Sequence, residues 1–83
     1  MRIALDYDKT YTLDPVFWNN VIREARVRGH IVNIVTMRHD NKNERLVDMP
    51  VHVVYTSRKA KQKFFDADVW IDDTPQWILT DSD

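Results

Sequence analysis

Short apolar runs alternate with longer polar or amphipathic segments along the chain, and this pattern predicts four strands with helices between them. The runs are rich in Val and Ile and cover residues 2–5, 30–36, 51–56 and 68–71. Unbroken apolar character is typical of parallel strands that are covered on both faces. Alternation of such strands with helical segments also favours parallel βαβ units. We therefore predict an α/β domain with a parallel sheet.

The segments between the apolar runs predict helices. Residues 15–28 carry apolar side chains at helical spacing, with Asp14 as N-cap, Pro15 at the first helical position and Gly29 after the last turn. Shorter helices are predicted over residues 41–47, 58–66 and 76–80.

Polar side chains follow every predicted strand. They are Asp6 with Asp8, Thr36, Thr56 with Ser57, and Asp72 with Asp73. Because the carboxyl ends of parallel strands meet at one edge of a sheet, we expect these side chains to lie close together. Carboxylates gathered there would repel one another without a cation, and oxygen ligands with no nearby Cys or His suit Mg²⁺. A metal, a hydroxyl and the basic residues of segment 58–63 are the parts needed for phosphoryl transfer.

Composition limits the alternatives. The chain has 83 residues, so we expect a single domain over residues 1–83. A net charge of -1 argues against nucleic-acid binding driven by overall charge, and the absence of Cys excludes disulfides and thiolate metal sites. The single glycine, Gly29, leaves no Gly-rich phosphate loop. With no apolar stretch long enough to span a membrane, we predict a soluble, cytoplasmic protein.

The order of these motifs resembles the haloacid dehalogenase superfamily of aspartyl-phosphate phosphohydrolases. The matching residues are Asp6-Tyr7-Asp8-Lys9-Thr10, Ile34-Val35-Thr36, Lys59 or Lys61, and Ile71-Asp72-Asp73. The resemblance covers residues 2–75 and implies a Rossmann-like three-layer αβα fold. It implies a short parallel sheet of about four strands in the order 4-1-2-3, with no cap domain.

The resemblance also implies roles for individual residues. Asp6 would be the nucleophile, and Asp8 would protonate the leaving group and then activate water. Thr36 would hydrogen-bond the transferring phosphoryl group. Lys59 would neutralise Asp6 and the phosphate, and we prefer it to Lys61 because it is nearer the start of the predicted helix.

A ligand set and substrate contacts follow in the same way. The implied Mg²⁺ ligands are Asp6, Asp8 through its backbone carbonyl, Asp72 and Asp73. The candidate substrate contacts are Thr10, Arg38 and Lys61. We therefore expect a Mg²⁺-dependent phosphatase that hydrolyses a phosphomonoester through an aspartyl phosphate.

Two departures from the family pattern bear on substrate and activity. Lys9 stands where the family usually has glycine, and only residues 9–13 separate Asp8 from the next helix, which leaves no room for a cap. An open site suits large substrates such as nucleic-acid ends or phosphoproteins, or a second subunit covers it. The open site and the basic predicted helix together favour a nucleotide or a nucleic-acid end. The small core and the exposed sheet edges favour a homo-oligomer.

Other interpretations of the same residues stay open at this point. Lys9 and the short chain also fit a catalytically silent module that binds phosphate or a nucleotide. A receiver-like phosphoacceptor domain fits poorly, because the third strand ends in Thr56 rather than in an acid. A calcium loop starting at Asp6 is excluded by Tyr11 and Phe17 at its glycine and glutamate positions.

Overall fold

The computed structural model describes residues 1–82, which form a parallel sheet of four strands with two helices. The strands and helices are β1 (Arg2–Leu5), α1 (Pro15–Val27), β2 (Ile31–Thr36), β3 (Val53–Tyr55), β4 (Val69–Ile71) and α2 (Gln76–Leu79). All neighbouring strands pair in parallel, in the order β3-β2-β1-β4, which is 4-1-2-3 when read from the β4 edge. The predicted α/β domain with a four-stranded parallel sheet is confirmed.

One face of the sheet packs against α1. Ile22 and Ala25 of the helix join Leu5, Val32 and Ile34 of the two central strands in a buried cluster. The Asp14 carboxylate accepts a hydrogen bond from the backbone N–H of Phe17 at 3.1 Å, as an N-cap should. Gly29, with φ of 85°, provides the left-handed residue after the helix. The predicted helix therefore forms, one residue shorter at its end than expected.

The other face of the sheet is covered differently from the prediction. Ala4 and Val35 pack there against Phe65, with Trp70 partly buried beside them. The predicted helix over residues 58–66 is wrong, because that segment contains only a 3₁₀ turn, Lys61–Lys63.

A tight turn prevents that helix. Ser57 and Arg58 have φ of 53° and 69°, and the N–H of Lys59 donates to the carbonyl of Thr56 at 3.1 Å. Two consecutive left-handed residues cannot begin a right-handed helix. The Arg58 N–H and its guanidinium both donate to the carbonyl of Met37 at 2.8 Å, so tertiary contacts hold the turn.

The predicted helix over residues 41–47 is also wrong. The side chain of Asn41 accepts hydrogen bonds from the N–H groups of Asn43 and Glu44, which gives the backbone an alternative to helical bonding. A single helical turn closes from Arg45 to Asn41, and the next amide, that of Leu46, donates to the hydroxyl of Tyr55 instead. The connection between β2 and β3, residues 37–52, is therefore irregular, whereas the one between β1 and α1 contains a 3₁₀ turn, Tyr11–Leu13. Over residues 1–82, the structure has no helix that is both long and apolar enough to cross a membrane.

Candidate functional site

Asp6 lies directly after β1, at the carboxyl end of the sheet. Its N–H donates to the carbonyl of Ile71 at 2.9 Å, which extends the pairing of β1 with β4 and fixes the Asp6 backbone. Its side chain is buried, since the residue is only 8% exposed. The Thr10 hydroxyl donates to Asp6 Oδ2 at 3.1 Å. Thr10, predicted to contact substrate, therefore holds the carboxylate of Asp6 in this structure.

Lys61 provides the positive charge beside Asp6. Its Nζ lies 2.8 Å from Asp6 Oδ1 and 2.6 Å from Asp72 Oδ2, and the residue is only 1% exposed. The expectation that Lys59 reaches Asp6 is wrong, because Lys59 is exposed. It rested on a helix that does not form, and the 3₁₀ turn directs Lys61 inward instead.

Three carboxylates gather at this edge. Asp6, Asp72 and Asp73 each offer an oxygen, and these oxygens lie within 4.8 Å of one another. Asp72 is further fixed by the N–H of Thr74, which donates to its Oδ1 at 2.9 Å. Among residues 1–82, only Lys61 forms an ion pair with this cluster, so three carboxylates share one paired ammonium group. An oxygen-only donor set with a deficit of positive charge fits a divalent cation such as Mg²⁺.

A raised pKa partly offsets the missing charge. Burial above all, and then a hydrogen bond with Asp73, raise the pKa of Asp6 to about 7, although Lys61 lowers it. The same hydrogen bond to Asp6 lowers the pKa of Asp73. A proton is therefore shared between Asp6 and Asp73 in part of the molecules at neutral pH, and a bound cation would replace it.

Asp8 stands apart from the carboxylate cluster. Arg38 holds it through two bonds, with Nη2 at 2.8 Å from Oδ1 and Nε at 3.1 Å from Oδ2. The guanidinium carbon also lies 5.1 Å from the centroid of the Tyr7 ring. The Asp8 carboxylate is thus not a member of the group of possible metal ligands, and Arg38, a predicted substrate contact, is engaged by Asp8.

A cavity of about 210 Å³ opens over these residues. The predicted site residues Asp6, Asp8, Thr36 and Asp73 line it. Thr36 is almost fully buried, and its hydroxyl oxygen accepts a hydrogen bond from the N–H of Arg38 at 3.3 Å. A larger cavity of about 620 Å³ lies beside α1, but Arg23 and Arg26 line it and none of the clustered carboxylates does.

Four further residues line the same cavity, and the sequence pattern did not predict this for any of them. They are Lys9, Met37, Thr74 and Trp77. Lys9 was noted only as a departure from a family motif, and it adopts φ of 61°, the left-handed conformation that glycine adopts most easily. Trp77 is on α2, which follows Asp72 and Asp73, and no spacing rule connects it to them.

Comparison with family models, with curated proteins and with solved structures finds no match to this chain. What the site does must therefore be inferred from its own residues. They offer a buried carboxylate beside an ammonium group, oxygen ligands for a cation, a hydroxyl, and a second carboxylate at the cavity wall. These are groups suited to phosphate binding and phosphoryl transfer.

Proposed function

We propose that this protein is a minimal, capless phosphohydrolase of the haloacid dehalogenase type, which cleaves a phosphomonoester with the help of Mg²⁺. One observation carries the proposal. Asp6, Thr36 and Asp73 are distant in sequence but line one small cavity, and Lys61 contacts Asp6 beside it. The position of β1 between β2 and β4, with the site at its carboxyl end, supports a Rossmann-like core. The three-layer αβα arrangement is part of the proposal.

The proposed reaction begins with Asp6. One oxygen of its carboxylate attacks phosphorus, the new P–O bond forms, and the bond between phosphorus and the ester oxygen breaks. Asp8 gives its proton to the departing oxygen. In the second half, water attacks the aspartyl phosphate, Asp8 takes the proton, and inorganic phosphate leaves while Asp6 is regenerated.

The neighbours of Asp6 support this assignment. Lys61 stabilises the ionised form of Asp6 and would offset the charge that builds up on the phosphoryl oxygens. Thr10 orients the carboxylate through its hydroxyl. Asp6, Asp72 and Asp73 would hold Mg²⁺, which would supply further positive charge to the phosphate. Without a cation the pKa of Asp6 is about 7, so a bound divalent ion favours the ionised nucleophile.

Arg38 favours a second candidate function. Its two bonds engage both oxygens of the Asp8 carboxylate, whereas a general acid must turn an oxygen towards the leaving group. For hydrolysis, Arg38 must exchange Asp8 for the substrate phosphate. If that exchange does not occur, the same cavity binds a phosphate or nucleotide without cleaving it.

The test is release of inorganic phosphate from nucleotides and phosphorylated oligonucleotides with Mg²⁺ or with a chelator. We expect release that depends on Mg²⁺ and is abolished in Asp6→Asn. Asp66→Asn is the matched control, because Asp66 is exposed and lies outside both the cavity and the carboxylate cluster. Binding of phosphate without release would select the silent module, and a folded protein that does neither would refute both functions.

A further inference from the structure

The cavity over Asp6 has an apolar wall as well as a polar floor. Met37 and Trp77 line it together with the carboxylates and Thr36. The sulfur of Met37 is held by the Thr56 hydroxyl at 3.2 Å, so this part of the wall is fixed. A site that bound only a phosphate group would not need an indole ring beside it.

Trp77 keeps 37% of its surface exposed although it belongs to a small domain with a limited core. Tryptophan offers a large rigid aromatic face, and base stacking on such faces is a common way for proteins to bind nucleotides. An exposed indole at the wall of a polar cavity is thus a surface suited to a flat aromatic group.

Hydrogen bonds connect Trp77 to the carboxylate cluster. The N–H of Thr74 donates to Asp72 Oδ1 at 2.9 Å, and the N–H of Trp77 donates to the carbonyl of Thr74 at 3.1 Å. Beyond α2, Asp81 accepts from the N–H of Ala60 at 2.7 Å, which ties the end of the chain to the turn that carries Lys61. The backbone of Trp77 is therefore held close to the segment that carries Asp72 and Asp73, and the indole lines the cavity from there.

We propose that Trp77 stacks on the base of a nucleoside 5′-phosphate whose phosphate lies over Asp6, and so makes this site selective for base-bearing phosphomonoesters. The proposal rests on the proposed function for the position of the phosphate. The same chemistry is presented by a free mononucleotide and by the 5′ end of a single strand. Lys9, a cavity residue with an exposed side chain, provides a cation for either.

The experiment compares kcat/KM for a nucleoside 5′-monophosphate and for ribose 5-phosphate, which has the same phosphate and sugar without the base. We expect the nucleotide to be preferred. Trp77→Leu should reduce that preference roughly 5- to 100-fold, the range expected for loss of one stacked base. Trp77→Phe should retain most of it, because the ring remains. Phe17→Ala is the control, since Phe17 is 53% exposed on α1 and outside the cavity.

The two proposals fail separately. Equal kcat/KM values for nucleotide and ribose 5-phosphate, or equal losses in Trp77→Leu for both, would overturn the stacking role while leaving the hydrolase intact. If nothing is hydrolysed, calorimetric titration of both ligands into the wild type with Mg²⁺ decides. Tighter binding of the nucleotide than of ribose 5-phosphate, lost in Trp77→Leu, supports stacking without catalysis. Equal binding of the two ligands, or no binding, overturns the proposal. Parallel assays on a 5′-phosphorylated single-stranded oligonucleotide distinguish strand ends from free nucleotides. The proposal is supported if either substrate is preferred over ribose 5-phosphate and Trp77→Leu removes that preference.

Discussion

Replacement of Lys61 by Met tests the arrangement on which the site depends. Met has a long unbranched side chain, so it can occupy much of the same space and preserve packing. The ammonium group that lies 2.8 Å from Asp6 and 2.6 Å from Asp72 is lost, and three clustered carboxylates then have no cationic partner among the residues that the structure describes. Lys61 is almost completely buried, so water replaces that charge poorly.

The expected cost follows from these contacts. Removing one member of a buried ion pair typically costs about 3–5 kcal/mol. Asp6 can respond by binding a proton, because its pKa is already raised to about 7, and we therefore expect a value near the lower limit at neutral pH. Small domains are stable by about 0.05–0.15 kcal/mol per residue, so a loss of about 3 kcal/mol removes a large part of the total. The melting temperature should fall by roughly 10–20 °C.

Lys59→Met provides a matched control. The substitution is the same and the position is two residues earlier, but Lys59 is exposed. We expect its free energy of unfolding to change by no more than about 0.5 kcal/mol. Urea denaturation followed by circular dichroism, at pH 7 in the presence of a chelator, measures both variants. The deficit of Lys61→Met should shrink at pH 5, because this pH is below the raised pKa of Asp6 and more of that carboxylate carries a proton. Equal effects of the two variants would refute the assignment of Lys61 to the buried position.

Three further outcomes are expected from single substitutions. Lys9→Gly should raise stability by about 1 kcal/mol in thermal melts, because Lys9 has φ of 61° and glycine adopts this conformation without steric cost; an unchanged or lower stability would contradict the strain. Asp6→Asn in a chelator should be more stable than the wild type at pH 8, by up to about 4 kcal/mol, and similar to it near pH 4. The sign follows because the pKa of Asp6 is raised from 3.8 to about 7, so the wild type loses stability as the pH rises through that interval; a gain independent of pH would contradict it. Asp14→Ala should cost about 1 kcal/mol by urea denaturation, through loss of the N-cap bond to Phe17, and no cost would mean that the cap does not stabilise α1.

The elements predicted best are those with strong local signals. The helix α1 has an acidic N-cap, a proline at its first position and a glycine after its last turn, and its observed bounds differ from the prediction by one residue. The strands β1 and β2 are mostly apolar, and they also agree closely with their predicted bounds. In these segments local preference and tertiary packing favour the same conformation.

The segment after β3 could not be predicted because distant contacts decide its conformation. Its composition favours a helix, but Arg58 binds the carbonyl of Met37 through both backbone and side chain, and Glu44 contacts its guanidinium. These contacts hold Ser57 and Arg58 in the left-handed region. No pattern within residues 57–66 indicates that the segment containing Met37 and Glu44 will lie next to them.

The candidate site was predictable where its residues end strands and not elsewhere. Thr36 is the last residue of β2, Asp6 and Asp73 follow β1 and β4, and the parallel sheet brings all three to one cavity. Lys59 was preferred to Lys61 because it is nearer the start of the predicted helix, and that helix does not form. Trp77 enters the cavity from a short helix, where spacing does not indicate which side chain faces the site.

The charge balance of the cluster favours a functional origin over a structural one. Buried ionic groups are costly, and apolar side chains of similar volume would often stabilise a fold as well or better. Here three carboxylates share one ammonium group and, in part of the molecules, a proton on Asp6, in a chain of 83 residues that has little stability to lose. Such a cluster weakens the domain at neutral pH unless a cation binds. A divalent cation would reverse the cost, because it would replace the shared proton and satisfy all three carboxylates at once. Stability that rises with Mg²⁺ in the wild type, and does not in Asp73→Asn, is therefore the direct consequence of this charge balance.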